Sequence, residues 1–173
     1  MSRHEANPAP AGFLVRDMLL SDIDEVWELE KALFPADAWP REMFVGELEL
    51  ADTRSYWVVL KDGKTVGYCG LMCVLPLADV QTIAVNPAQE GHGIGTHLLR
   101  LMINAAQESN ATDLLLEVRE DNPRARGCMN AMDSNPSTAV PGTTATVWMR
   151  SSCARRSPLL SRRVCRGRCG GPD

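Results

Sequence analysis

The stretch with the most chemical content is Asn86-Pro87-Ala88-Gln89-Glu90-Gly91-His92-Gly93-Ile94-Gly95-Thr96, between a β-rich run ending at Val85 and an apolar stripe at helical spacing. Alternate glycines at 91, 93 and 95 let backbone N–H groups turn toward a common point without Cβ obstruction. That point falls at a helix N-terminus, where the first N–H groups lack intrahelical partners and the dipole favours an anion. The chemistry such a loop serves is the holding of a phosphate or pyrophosphate. The plainer alternative is a glycine-rich turn that only starts a helix. A triphosphate-binding loop would need Gly-Lys-Ser/Thr, which is absent, and a dinucleotide fingerprint would stand early in the chain rather than after several strands.

Other side chains with chemistry are fewer. Glu117 sits among Leu114, Leu116 and Val118, where burial would raise its pKa toward that of a general base. Its competing reading is a solvated or salt-bridged strand residue. His92 lies in the loop and flanks phosphate; His97 lies on the following helix and reads as surface or packing. Cys69 and Cys73 share one face of a strand and suit core filling. Cys128, Cys153, Cys165 and Cys169 are spaced far from two CxxC pairs, and all three histidines precede them, so no metal site is expected.

Stepping outward, the chain supplies elements to carry these groups. FLVRDM (13–18) predicts a first strand. Ser21 and Asp24 form a capping-box pattern before a helix with the stripe Ile23, Val26, Trp27, Leu29, Leu33, ended by Pro35. Pro40 opens a second helix with Met43, Phe44 and Leu48 as its face. Residues 55–75 are two β-rich runs around Lys61-Asp62-Gly63-Lys64, a hairpin signal. ADVQTIAV (78–85) is a further strand. Ile94, Leu98, Leu101, Met102 and Ala105 mark a helix over 93–108, and 111–120 is a strand apolar enough to be central. The order β-α-α-β-β-β-α-β predicts an α/β fold with a mixed sheet.

Bulk properties set the frame. The 173 residues suit one domain, and 45% hydrophobic content is enough for a core. No apolar run approaches a membrane helix, and residues 1–12, Pro/Ala-rich and expected to be disordered, have no signal-peptide h-region. A cytoplasmic protein is expected. The net charge of −4 hides a split, −11 over residues 1–122 and +7 over 123–173. A basic tail can bind nucleic acid phosphates nonspecifically, but no aromatic interleaving supports base stacking, so no specific nucleic acid is expected.

QTIAVNPAQEGHGIGTHLL (81–99), followed by LLLEVREDN (114–122), resembles the GNAT N-acetyltransferases, and within them the bacterial ribosomal-protein-alanine N-acetyltransferases. LEKALFPADAW (29–39) and VGYCGLM (66–72) are similar to that family's early helix and third strand, and the resemblance covers residues 13–122. It implies the GNAT fold and acetyl-CoA as co-substrate, with no metal. It further implies that Ile83, Ala84 and Val85 pair with the pantetheine arm and that Gly91, His92, Gly93, Ile94, Gly95 and Thr96 hold the pyrophosphate. By the same resemblance Asn122 contacts the cofactor near its thiol and Glu117 is the general base. Glu90 stands where the family usually has Gln or Arg, a minor departure for a loop that binds through backbone amides. The implied acceptor is a protein N-terminal α-amine, alanine of a small-subunit ribosomal protein, a basic partner that the acidic 1–122 suits. A lysine or small-amine acceptor is the alternative.

After Asn122 the sequence leaves that pattern. The family continues with a helix whose Tyr protonates the departing thiolate, then two strands; that Tyr would fall at Met129, which has no proton to give. Read in another frame, the codons for Gly127 to Ser134 permit the family's Leu-Tyr-Glu-Arg-x-Gly-Phe motif. Residues 123–173 therefore read as a frameshifted, disordered Arg/Cys-rich tail, with the family's last helix and strands missing and the edge of the final strand unpaired. A catalytically impaired acyl-CoA-binding remnant is the corresponding alternative function.

Overall fold

A computed structural model describes residues 9–119 and 144–150, of which 117–119 and 144–150 are described as backbone. Asp62 and Gly63 both take positive φ, 50° and 78°, the turn that matches the twist of its flanking strands. They join β2 (Arg54–Lys61) to β3 (Lys64–Val74). β1 (Leu14–Asp17) pairs antiparallel with β2, and β4 (Leu77–Val85) pairs antiparallel with β3. β5 (Asp113–Arg119) lies parallel to β4 after the crossover through α3 (Ile94–Glu108). This is the α/β mixed sheet expected from the element order.

One expectation fails at the far edge. β6 (Thr144–Arg150) lies in the segment where no strand was expected, and it pairs antiparallel with all of β5, from Asp113↔Arg150 to Arg119↔Thr144. The sheet of the described residues is six-stranded, ordered β1-β2-β3-β4-β5-β6, and the outer edge of β5 is covered. TATVWMR is rich in β-branched and aromatic residues, and a seven-residue strand is too short to register as a sustained period.

Each face of the sheet carries its own core. On one face Trp57, Val59, Cys69, Leu71 and Val80 meet Ile94, Leu98, Leu101 and Met102 of α3. On the other, Tyr56, Val58, Tyr68 and Ala84 meet α1 (Ile23–Leu33) and α2 (Arg41–Glu49) through Ile23, Val26, Leu29 and Phe44. Strand alternation assigns the side chains to their faces, and a bulge in β4 reverses its phase between Val80 and Ala84. Cys69 is fully buried, Cys73 packs against the α3-side core, and burial pushes the Cys69 thiol up, as core filling requires.

The start of α1 differs in its cap. Ser21 is exposed, and a 3-10 turn over Leu20–Asp22 precedes the helix. Asp22 does the fixing: it accepts the Leu19 N–H at 2.8 Å and takes Arg16 Nη1 and Nη2 at 2.6 and 2.8 Å. A carboxylate can hold a guanidinium in this two-point fashion and a hydroxyl cannot. On α2, Phe44, Val45 and Leu48 pack inward, whereas Met43, expected on that face, is 43% exposed.

Candidate functional site

β4 is bent where its function would need it. Gly70 pairs with Thr82 but Leu71 pairs with Val80, which leaves Gln81 as an extra, bulged residue. A bulge bends and twists its strand. Pairing between β4 and β5 covers only Leu77–Val80 against Asp113–Leu116 and stops at that bulge. Beyond it, residues 82–85 of β4 continue along β3, while residues 117–119 of β5 continue along β6. The two parallel strands part into a wedge.

The wedge exposes an edge of β4 with a defined polarity. Asn86 N–H donates to Val66 O at 2.8 Å, which fixes the phase of the β3–β4 ladder. Alternation then turns the backbone of Ala84 toward β3 and the backbones of Ile83 and Val85 toward the wedge. An extended chain could add there as another strand would. Of the three residues expected to act together, two present backbone groups and Ala84 supplies the packing behind them.

At the mouth of the wedge lies the glycine loop. Asn86 Oδ1 accepts the Ala88 N–H at 2.9 Å and starts a 3-10 turn over Pro87–Gln89. Gly91 and Gly93 take φ of 80° and 77°, which L side chains adopt only with strain. Gly93 is the N-cap of α3, no side chain caps it, and the first intrahelical bond runs from His97 N–H to Gly93 O at 2.9 Å. Ile94 is 2% exposed and anchors the helix in the core, while its N–H and that of Gly95 precede that first bond. Gly95 differs from its two neighbours in kind: its φ is not positive, and an added Cβ would meet nothing within 4 Å. Folding alone does not demand glycine there.

His92, expected to flank phosphate, makes its hydrogen bonds within the loop itself. Its Nδ1 lies 3.1 Å from the carbonyl oxygens of Gln89 and Glu90. Carbonyls only accept, so Nδ1 carries the proton and the ring braces the loop from within. The ring also meets Phe13 edge-on at 5.6 Å. Lys61, at the end of β2, donates to Gln89 Oε1 at 2.8 Å and sits 5.3 Å from the Phe13 ring centre. Phe13, Lys61 and Gln89 thus hold the loop against the β1–β2 end of the sheet, a cluster no sequence spacing announces. His97 is 7% exposed, and burial, with Arg100 nearby, lowers its pKa; it is a packing residue.

Glu117 follows Leu116, the last β5 residue paired with β4, and its Cα stands opposite Thr146. Its place in the sheet is therefore the point where the wedge opens. Asn122, Met129 and the rest of 120–143 and 151–173 lie outside the described residues. Among the described residues no three His, Cys, Asp or Glu gather as a metal site, and no helix is long and apolar enough to cross a membrane.

Residues 23–132 match the acetyltransferase (GNAT) family, and the match runs past Asn122. The chain belongs to the GNAT family of N-acetyltransferases. This acetyltransferase is 36% identical over 122 residues to a Bacillus subtilis (strain 168) protein named as a ribosomal protein bS18-alanine N-acetyltransferase, covering 70% of this chain and 80% of that one. Its fold is similar to the crystal structure of the Escherichia coli ribosomal-protein-S18-alanine N-acetyltransferase, with TM-score 0.67 and 19% identity over 83% of this chain and 98% of the other. It is also similar to the Thermoplasma acidophilum PaiA N-acetyltransferase, solved in complex with coenzyme A, with TM-score 0.70 and 11% identity over 80% and 99% of the two chains.

Proposed function

We propose that this acetyltransferase moves acetyl from acetyl-CoA to a protein N-terminal α-amine, and that its acceptor is the alanine of a small-subunit ribosomal protein. One observation carries the cofactor half: the β4–β5 wedge leads straight to an uncapped, glycine-lined helix N-terminus. The backbones of Ile83 and Val85 suit an amide-bearing pantetheine arm, and the N–H groups at 91–96 suit its pyrophosphate. The acceptor half is supported by the name of the Bacillus subtilis relative and by the acidic charge of residues 1–122.

In this reading Glu117 takes a proton from the acceptor ammonium, directly or through water. The freed amine attacks the thioester carbonyl carbon, a C–N bond forms, the C–S bond breaks, the thiolate leaves, and the nitrogen gives up its second proton to solvent as the amide forms. Asn122 contacts the thiol end. A thiol has a pKa near 8.5, so the departing thiolate can take its proton from solvent at some cost in rate when Met129 stands where an acid would. That residue favours a second reading, an acyl-CoA-binding protein of low turnover whose residues 123–173 derive from a shifted frame. Lysine or small-amine acetylation is the remaining acceptor alternative.

Acetyl-CoA titration beside turnover on an alanine-starting basic peptide separates these. The first reading expects binding, turnover, and a loss of kcat of about 100-fold or more in Glu117→Gln. Binding with turnover no faster than in Glu117→Gln identifies the second. Preference for a lysine side chain over the peptide's α-amine overturns the acceptor assignment.

A further inference from the structure

Gly70 stands in the last row of the β3–β4 ladder before the bulge. Tyr56 on β2 lies opposite it on one side and Thr82 on β4 on the other. A Cβ at position 70 would fall 2.1 Å from Tyr56 Cε1 and 2.5 Å from Cζ, so the phenol ring takes the place of a side chain there. The ring is tied down. Tyr56 is 4% exposed, and its hydroxyl donates to Glu47 Oε2 at 2.8 Å. Arg54 Nε donates to the same oxygen at 2.7 Å, which joins α2 to β2. Burial, and after it the Glu47 carboxylate, push the Tyr56 phenol up, so it keeps the proton that it donates. Phenylalanine would fill the volume with no polar atom to satisfy, so the hydroxyl serves to fix the ring.

The ring stands beside a choice of register. β4 carries its extra residue at Gln81, which puts Thr82 next to Gly70. The N–H of Ala84 then turns to β3, and those of Ile83 and Val85 turn to the wedge. A bulge nearer the glycine loop would put Gln81 next to Gly70 instead. Ile83 and Val85 would then turn to β3 and Ala84 to the wedge, because a slip of one residue reverses every direction along a strand. Facing Cβ atoms on adjacent strands are about 4.5–5.5 Å apart, so the side chain next to Gly70 shares its space with the Tyr56 ring. Thr82 is short enough for that place, and the longer Gln81 would have to push the tied ring aside.

We propose that Tyr56, held by Glu47 and Arg54, is a positioning residue for acetyl-CoA: its ring over Gly70 selects Thr82 as the neighbour, pins the bulge at Gln81, and so keeps the backbone groups of Ile83 and Val85 on the wedge. Tyr56 is buried and touches no substrate. The proposal rests on the reading of that edge as the acetyl-CoA site.

Three substitutions test it. Tyr56→Ala removes the ring, and Tyr56→Phe removes only its tie to Glu47. Val58→Ala removes a buried side chain from the same core and the same strand, away from the Gly70 row. Amide hydrogen exchange at Ile83, Ala84 and Val85 is read without ligand, and acetyl-CoA Kd is measured beside it. In the unsubstituted protein and in Val58→Ala, Ala84 should be the slowest of the three by about tenfold or more. Tyr56→Ala should reverse that order and raise Kd about tenfold, as when about one molecule in ten keeps the competent register. Tyr56→Phe should bring the three rates within about threefold of one another and raise Kd about twofold. An unreversed order in Tyr56→Ala overturns the proposal. Reversal in Val58→Ala does so too, because register would then follow from packing at large. Should Tyr56→Ala not fold, Tyr56→Phe decides, and exchange rates and Kd like those of the unsubstituted protein overturn the proposal. If the unsubstituted protein binds no acetyl-CoA, the functional reading has failed, and the exchange order still decides whether Tyr56 sets the register.

Discussion

Gly93→Ala is the sharpest perturbation of the cofactor loop. Gly93 has φ of 77° and caps α3 with no side-chain help. An added Cβ meets no atom within 4 Å, so the penalty is conformational rather than steric. An L residue held in that region costs about 1–2 kcal/mol. If the loop relaxes to relieve it, the binding-competent form loses population by about 5- to 30-fold. Apparent acetyl-CoA Kd then rises by up to the same factor, because affinity scales with the competent fraction. Calorimetric titration with acetyl-CoA measures this directly. The thermal shift at fixed acetyl-CoA should shrink in step, since ligand stabilisation follows the logarithm of concentration over Kd. Gly95→Ala is the comparison for backbone strain: helical φ, no protein atom within 4 Å of the added Cβ, and a slight gain in helix propensity, hence stability equal or better. Equal affinity in Gly93→Ala and the unsubstituted protein would refute the reasoning.

Three further outcomes follow from the geometry. In Gly70→Ala the new Cβ would fall 2.1 Å from Tyr56 Cε1, on a ring tethered to Glu47 at 2.8 Å, and should lower stability by about 1–3 kcal/mol; an unchanged urea midpoint would show that the ring swings aside. Arg16 holds the Asp22 carboxyl below its usual pKa, so the pair stabilises the fold at neutral pH and the contribution fades as pH falls through the unfolded and then the folded value. Asp22→Asn should therefore flatten the acid limb of stability below about pH 4, read by thermal melts across pH. Lys61→Met frees Gln89 and should raise acetyl-CoA Kd by about two- to fivefold while urea unfolding shows a stability change of no more than about 0.5 kcal/mol; an unchanged Kd would mean that His92 braces the loop alone.

The sequence alone determined what depends on neighbours along the chain. The Asp62-Gly63 turn, the stripe of α3 and the glycine loop are each written within one helical repeat or one turn, where spacing equals geometry. Backbone recognition at 91–96 is likewise local, because the donors belong to consecutive residues. Tertiary structure decided what depends on distant partners. The bulge at Gln81, and with it the wedge, exists only as a mismatch between two strands. Glu30 meets Tyr68, 38 positions away, in the core, a pairing that no local spacing specifies. Lys61 meets Gln89 across 28 positions, and β6 found β5 from a segment whose composition suggested no structure. A strand edge or a buried carboxyl takes any partner of suitable chemistry, and only the assembled sheet fixes which one it meets.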